Sequence, residues 1–79
     1  MTVHILYFGV LSQVMNNNSQ SIQLPENSTI QELLDILITE NSLVKNYKFQ
    51  IAVNKQIVTS EVIIKEGDEI ALLPPFSGG

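Results

Sequence analysis

Apolar residues recur at every second position near both ends of this chain and at every third or fourth position in its middle. "VHILYF", Val3 to Phe8, is β-branched and aromatic and is followed by Gly9, which is the composition of a strand. Alternation puts Val3, Ile5 and Tyr7 on one face and His4, Leu6 and Phe8 on the other, so the second face is not properly polar. Gly9 to Met15 has room for a helical turn or two, with Val10, Leu11 and Val14 at suitable spacing. "SIQL", Ser21 to Leu24, alternates up to Pro25 and reads as a second strand, hairpin-like to the first. The polar, asparagine-rich "MNNNSQS", Met15 to Ser21, suits an exposed connection between them.

The period then changes. "NSTIQELLDILITEN" predicts the main helix: Ser28 offers an N-cap oxygen, Gln31 sits where a capping box wants its reciprocal acceptor, and Glu32 favours the positive end of the helix dipole. Ile30, Leu33, Leu34, Leu37 and Ile38 form an apolar stripe that needs a sheet to pack on. In "KFQIAVN", Lys48 to Asn54, the inward set is Phe49, Ile51 and Val53, against Gln50, Ala52 and Asn54 outward. A tight turn near Asn54 and Lys55 leads into the short strand "QIV". "EVIIKEGDEIALL" gives a loop or short strand, a turn with Gly67 available for positive φ, and a last strand from Glu69 to Leu73 with Ile70 and Leu72 inward.

This order, two strands, a helix, then two or three strands, is that of an α+β protein with a mixed sheet packed on one main helix. A last strand pairing in parallel beside the first, in the middle of the sheet, makes it a β-grasp, ubiquitin-like fold. One sequence does not supply that strand order.

Composition narrows the function classes. A chain of 79 residues is one domain that buries only about 60 to 65% of its unfolded surface, which disfavours a deep active-site cleft and favours a binding or carrier module. It has no cysteine, hence no disulfide, no thiolate nucleophile and no cysteine-based zinc site. Eight carboxylate side chains against four lysines and no arginine disfavour nucleic acid and anionic lipid and favour a partner with a basic surface. The apolar start "MTVHILYFGV" lacks a basic leader and is too short to cross a bilayer, so a soluble, cytoplasmic protein is expected.

"LPPFSGG" raises a different question. Pro74 and Pro75 cannot continue a central strand or a helix, so the chain divides into a body, residues 1–73, and a tail, residues 74–79. Six residues in extended or polyproline form reach roughly 20 Å, enough to enter another protein's site. Gly78 and Gly79 make its tip thin enough for a narrow channel.

Leu6, Phe8, Ile57 and Leu73 lie on strands whose other face already supplies a core. They form an apolar partner surface beside the tail unless the first helical segment or a loop covers them. His4 is the only histidine and reads as a surface or structural residue, with no ligand cluster around it and no metal site expected. Glu66, Asp68 and Glu69 surround a turn, where solvation and charge complementarity are the plain reading. The glycines are not spaced as a nucleotide-cradling loop.

The "LYFG" first strand, the capped helix, "VNKQIV" and above all "GDEIALLPPFSGG" resemble the MoaD family, ubiquitin-like sulfur carriers that form the small subunit of molybdopterin synthase. The likeness runs over nearly the whole chain and is strongest from Gly67 to Gly79, where the Gly-Asp-Glu, apolar strand, Pro-Pro and Gly-Gly pattern is complete. One departure is "VLSQVMN", where the family often carries an Arg-Glu pair.

The resemblance implies a chemistry. An ATP-dependent activating enzyme similar to MoeB would adenylate the Gly79 carboxylate, and a sulfur donor would convert it to a thiocarboxylate. The tail, Pro74, Pro75, Phe76, Ser77 and Gly78, would then thread into a MoaE-like large subunit. There the terminal sulfur would attack the cyclic pyranopterin monophosphate precursor. Two carriers would complete the dithiolene within a heterotetramer. Phe8, Ile57 and Leu73 match the family's contact surface. The chain would be a cosubstrate and non-catalytic subunit that binds no cofactor itself, with ATP used by the activating enzyme and the acid-base groups supplied by the large subunit. The alternatives are a thiamine-pathway carrier similar to ThiS, which ends in Gly-Gly but lacks the Pro-Pro; a ubiquitin-like protein modifier; and an interaction module with an inert tail.

Overall fold

The computed structural model describes residues 1–75. Five strands form one sheet in the order β2-β1-β5-β3-β4, built from β1 (Thr2–Tyr7), β2 (Ser19–Gln23), β3 (Gln50–Val53), β4 (Gln56–Val58) and β5 (Glu69–Leu73). β5 pairs in parallel with β1 and antiparallel with β3. Its backbone is therefore satisfied on both sides, and it is the middle of the sheet. The mixed sheet with its central parallel pair is the β-grasp arrangement that the element order allowed.

One face of the sheet is the core. Val3 and Ile5 of β1 and Ile70 and Leu72 of β5 are fully buried, and Tyr7 and Ile51 nearly so. Ile30, Leu33 and Leu37 of α2 (Ile30–Glu40) join them in one cluster, together with Leu11 of the short α1 (Val10–Val14), Leu24 and Ile64. Burying each such aliphatic side chain contributes about 1.5–3 kcal/mol before the entropy of ordering it is counted. Leu34 and Ile36 pack at the margin of the cluster, and Ile38 is half-buried.

The helix starts one residue later than its sequence predicts. Thr29, not Ser28, is the N-cap: its Oγ1 accepts from the Glu32 N–H at 3.2 Å, and Glu32 Oε1 accepts from the Thr29 N–H at 3.0 Å. Ser28 is buried instead, with its hydroxyl donating to Pro25 O at 2.7 Å. Gln31 donates along the helix to Asp35 Oδ1. The reason lies in the segment before β5, which runs past the helix start. Ile30 N–H donates to Val62 O and Gln31 N–H to Ser60 O, while Ser28 O accepts from Ile64 N–H. The first donors of the helix are thus used by a distant loop, which fixes the frame of the cap.

Other departures are smaller. β2 begins at Ser19, so part of the asparagine-rich connection is strand. A 3₁₀ turn, Ser42–Asn46, follows α2. Asn41 ties this corner together, since its side chain accepts from Leu43 N–H and donates to Val14 O of α1. Among the described residues no helix is long and apolar enough to cross a membrane.

Candidate partner groove and the base of the tail

Among the described residues no helix or loop covers the outer face of the sheet where the apolar residues lie. Pairing registers place Leu6 opposite Ala71, Ala71 opposite Ala52, and Ala52 opposite Ile57, so these four form a row across β1, β5, β3 and β4. Two alanines in the middle of the row and larger side chains at its ends make the surface concave. The result is an open depression of about 340 Å³, completed by Phe8, Leu73, Lys55 and Glu69. Ala52 is its buried floor, although it points away from the main core.

The expected surface residues meet here. Phe8 is 43% exposed and Ile57 59% exposed, while Leu73 and Leu6 are half-buried. Exposed apolar side chains clustered around a concavity are the kind of patch that a partner covers. Charge is confined to the rim, with Lys55 and Glu69. Lys55 is placed by the two-residue turn between β3 and β4, where Asn54 has φ 50° and Lys55 φ 74°, the backbone that a tight hairpin demands. Nothing about Ala52, Ala71 or Lys55 singles them out in the sequence, because a cross-strand row becomes visible only once register is known.

The tail leaves from the edge of this groove. Leu73 is both a wall of the depression and the last residue of β5. Pro74 is half-buried and Pro75 exposed. Pro74 lies against Gly9, which has φ 61° and ψ −138°; a Cβ on Gly9 would stand 2.8 Å from Pro74 Cγ. Phe76, Ser77, Gly78 and Gly79 lie outside the described residues.

The remaining candidates are local. His4 Nδ1 is 3.0 Å from Ser21 Oγ on the exposed face. Glu66 Oε1 accepts from Thr2 N–H, and Asp68 Oδ2 from Lys65 N–H, so both carboxylates serve the turn around Gly67, whose φ is 78°. Among the described residues no group of three or more His, Cys, Asp and Glu side chains could hold a metal ion. Among the described residues Tyr7 is the one strongly shifted titratable group: burial pushes its phenol up to about 12, partly offset by the hydrogen bond from Gln20 and reinforced by Glu40. It faces the core, on the opposite side of the sheet from the groove.

A mixed sheet with a central parallel pair, one covering helix, an uncovered apolar groove and a proline-led exit from the central strand together define a ubiquitin-like β-grasp protein. The chain belongs to the ThiS family, which it matches over residues 5–79. It is 31% identical over 83 residues to the molybdopterin synthase sulfur carrier subunit of Drosophila erecta, covering 100% of this chain and 92% of that protein. A Pyrococcus furiosus protein described as a candidate subunit 1 of molybdopterin converting factor superposes with a TM-score of 0.89 at 24% identity, over 96% of this chain and 99% of that one, a likeness of fold. A further likeness is to a protein–protein complex of subunits 1 and 2 of molybdopterin-converting factor from Helicobacter pylori, with a TM-score of 0.72 and 28% identity over the whole of both chains.

Proposed function

We propose that this chain is the sulfur carrier, and small subunit, of a molybdopterin synthase. The observation that carries the reading is the continuity of groove and tail: Leu73 closes the apolar groove and is followed at once by Pro74, which ends the central strand. A partner gripping the groove would therefore hold the tail at its root. The name borne by full-length relatives supports the same role.

In this reading the free carboxylate is that of Gly79. A carboxylate is a poor electrophile because its charge is delocalised. Its attack on the α-phosphorus of ATP, with release of pyrophosphate, gives an acyl-adenylate on an activating enzyme. Sulfide delivered by the donor then displaces AMP at the acyl carbon and leaves a thiocarboxylate. In a large-subunit pocket reached by Pro74 to Gly78, the sulfur attacks a side-chain carbon of the cyclic pyranopterin monophosphate and displaces the oxygen substituent there, giving a thioester between carrier and pterin. Hydrolysis frees the carboxylate for another round, and two carriers complete the dithiolene. The acid-base and phosphate-binding groups belong to the large subunit, because this chain has no arginine and its Glu66 and Asp68 carboxylates are engaged in a turn at the opposite end of β5 from the tail. The chain itself acts as cosubstrate, in the cytoplasm.

Intact mass spectrometry of the protein, co-expressed with its activating enzyme in sulfur-replete cells, tests this. Replacement of one oxygen by sulfur at Gly79, together with complex formation with the large subunit, is expected. Species joined to other proteins through isopeptide bonds would make the chain a modifier, and persistently unmodified protein would leave only an interaction module. A sulfur-bearing chain that ignores the large subunit and serves thiazole formation would assign it to the thiamine pathway.

A further inference from the structure

We infer that Gly9 is a positioning residue for the tail: its bare α-carbon is the seat on which Pro74 rests, and that seat fixes the line along which the chain leaves the sheet. The inference rests on the sulfur-carrier reading for its consequence, since there the tail must find a partner's pocket.

The parallel ladder ends at this point for chemical reasons. His4 N–H donates to Asp68 O at 3.0 Å and Phe8 N–H to Leu72 O at 3.2 Å. In this register the next bond would run from the N–H of residue 74 to Phe8 O, and a proline has no N–H to give. Phe8 O is taken instead by the Leu11 N–H of α1, at 3.2 Å. Strand pairing is thus closed off on both partners at the same level.

Gly9 turns the chain away from the sheet after β1. Its φ of 61° and ψ of −138° form the mirror image of extended backbone, which L side chains avoid. The peptide is clamped there, because Gly9 O accepts from the Ser12 N–H at 3.1 Å and from Ser12 Oγ at 2.8 Å. Against this fixed carbon lies the Pro74 ring, with Cγ, Cδ and Cβ at 2.8, 3.8 and 3.9 Å from where a Cβ would stand. Any L residue at position 9 meets two obstacles, the backbone angle and the ring. Proline fixes its own φ, and the seat fixes the ring, so the first joint of the tail is ordered before a partner arrives. Order present beforehand need not be imposed on binding.

The experiment uses full-length, thiocarboxylated protein and the large subunit, with kcat and KM measured for the carrier. Gly9→Ala displaces the ring, and Pro74→Ala removes it. Each is expected to lower kcat/KM on the order of tenfold, chiefly through KM, and the double variant to fall no further than the worse single one. In the free protein a nuclear Overhauser effect between Gly9 Hα and the Pro74 Hγ protons is expected. Wild-type kinetics in both single variants, or losses that multiply in the double variant, would overturn the inference. Should Gly9→Ala fail to fold, Pro74→Ala and the Overhauser effect decide: wild-type kinetics or a missing effect overturns the seat. A wild-type carrier that transfers no sulfur defeats the carrier reading instead, and the Overhauser effect still decides whether the seat exists.

Discussion

Asn54 and Asp68 clasp two turns together: the Asn54 carboxamide donates to Asp68 Oδ1 at 3.0 Å. The same side chain accepts from Glu69 N–H at 3.0 Å, and Asn54 N–H donates to Glu69 O at 2.8 Å. The hairpin between β3 and β4 is thereby pinned to the start of β5, which holds Lys55 and Glu69 on the groove rim. Asn54→Ala removes both side-chain bonds and leaves alanine at positive φ. A loss of about 2 kcal/mol in urea unfolding is expected, given roughly 0.5–1.5 kcal/mol for each bond. Lys55→Gly relieves a φ of 74° and is expected to change stability in the opposite direction, by up to about 1 kcal/mol.

The groove makes a sharper test than stability alone. Ile57 and Phe8 are the more exposed of its large side chains, so Ile57→Lys and Phe8→Lys should leave unfolding free energy within about 0.5 kcal/mol of wild type. Binding to the large subunit, measured by titration calorimetry, is expected to weaken about tenfold or more, because a lysine ammonium would have to be desolvated in an apolar contact. Leu73→Lys should weaken binding likewise, with a somewhat larger stability cost, since Leu73 is half-buried and pairs with Gln50. Unfolding of Phe8→Lys would mean that this face is core.

Much of this was legible in the chain, and the failures have physical causes. Strands β1 and β5 and their inward residues follow from period-two alternation, because both strands have one face on the core. The frame of α2 lies one residue later than its sequence predicts. Ser28 with Gln31 and Thr29 with Glu32 both fit the capping-box spacing, and the choice is made by Val62, Ser60 and Ile64, which lie far along the chain. The groove was half legible: Leu6, Phe8, Ile57 and Leu73 stood out as apolar on an outer face, while its alanine floor depends on register between strands distant in sequence. Gly9 carried no signal beyond following a strand, because its role depends on Pro74, at the other end of the chain.

The cap can be tested residue by residue. Thr29→Ala should cost about 1 kcal/mol by removing the acceptor of the Glu32 N–H. Gln31→Ala, on the exposed face, should cost no more than about 0.5 kcal/mol, the scale of its pair with Asp35. Equal losses at the two positions in thermal unfolding would contradict the observed frame.

Tyr7 gives the fold a pH dependence at the alkaline end. Its phenol titrates near 10.0 when exposed but is pushed up to about 12 in the folded chain by burial. The folded state therefore holds this proton where the unfolded state releases it. Stability from this group is complete below pH 10 and declines as pH rises from 10 towards 12. Tyr7→Phe should abolish that part of the decline in urea unfolding measured across this range. At neutral pH it should cost about 1 kcal/mol, because Gln20 loses the acceptor it reaches at 2.6 Å.

The end that the carrier reading makes reactive can be separated from the fold. Among the described residues the core reaches only to Leu72, and Gly79 lies outside them. Gly79→Ala adds a methyl group at the point where the carrier reading requires the thinnest chain. Appending one residue after Gly79 moves the carboxylate beyond the position that the partner's pocket would hold. Both variants are expected to keep the wild-type amide spectrum of the body and to lose at least about a hundredfold in sulfur transfer in a reconstituted assay, the scale set by misplacing a reacting atom by an ångström or more. Normal dithiolene formation by either variant would remove Gly79 from the chemistry, whatever the groove binds.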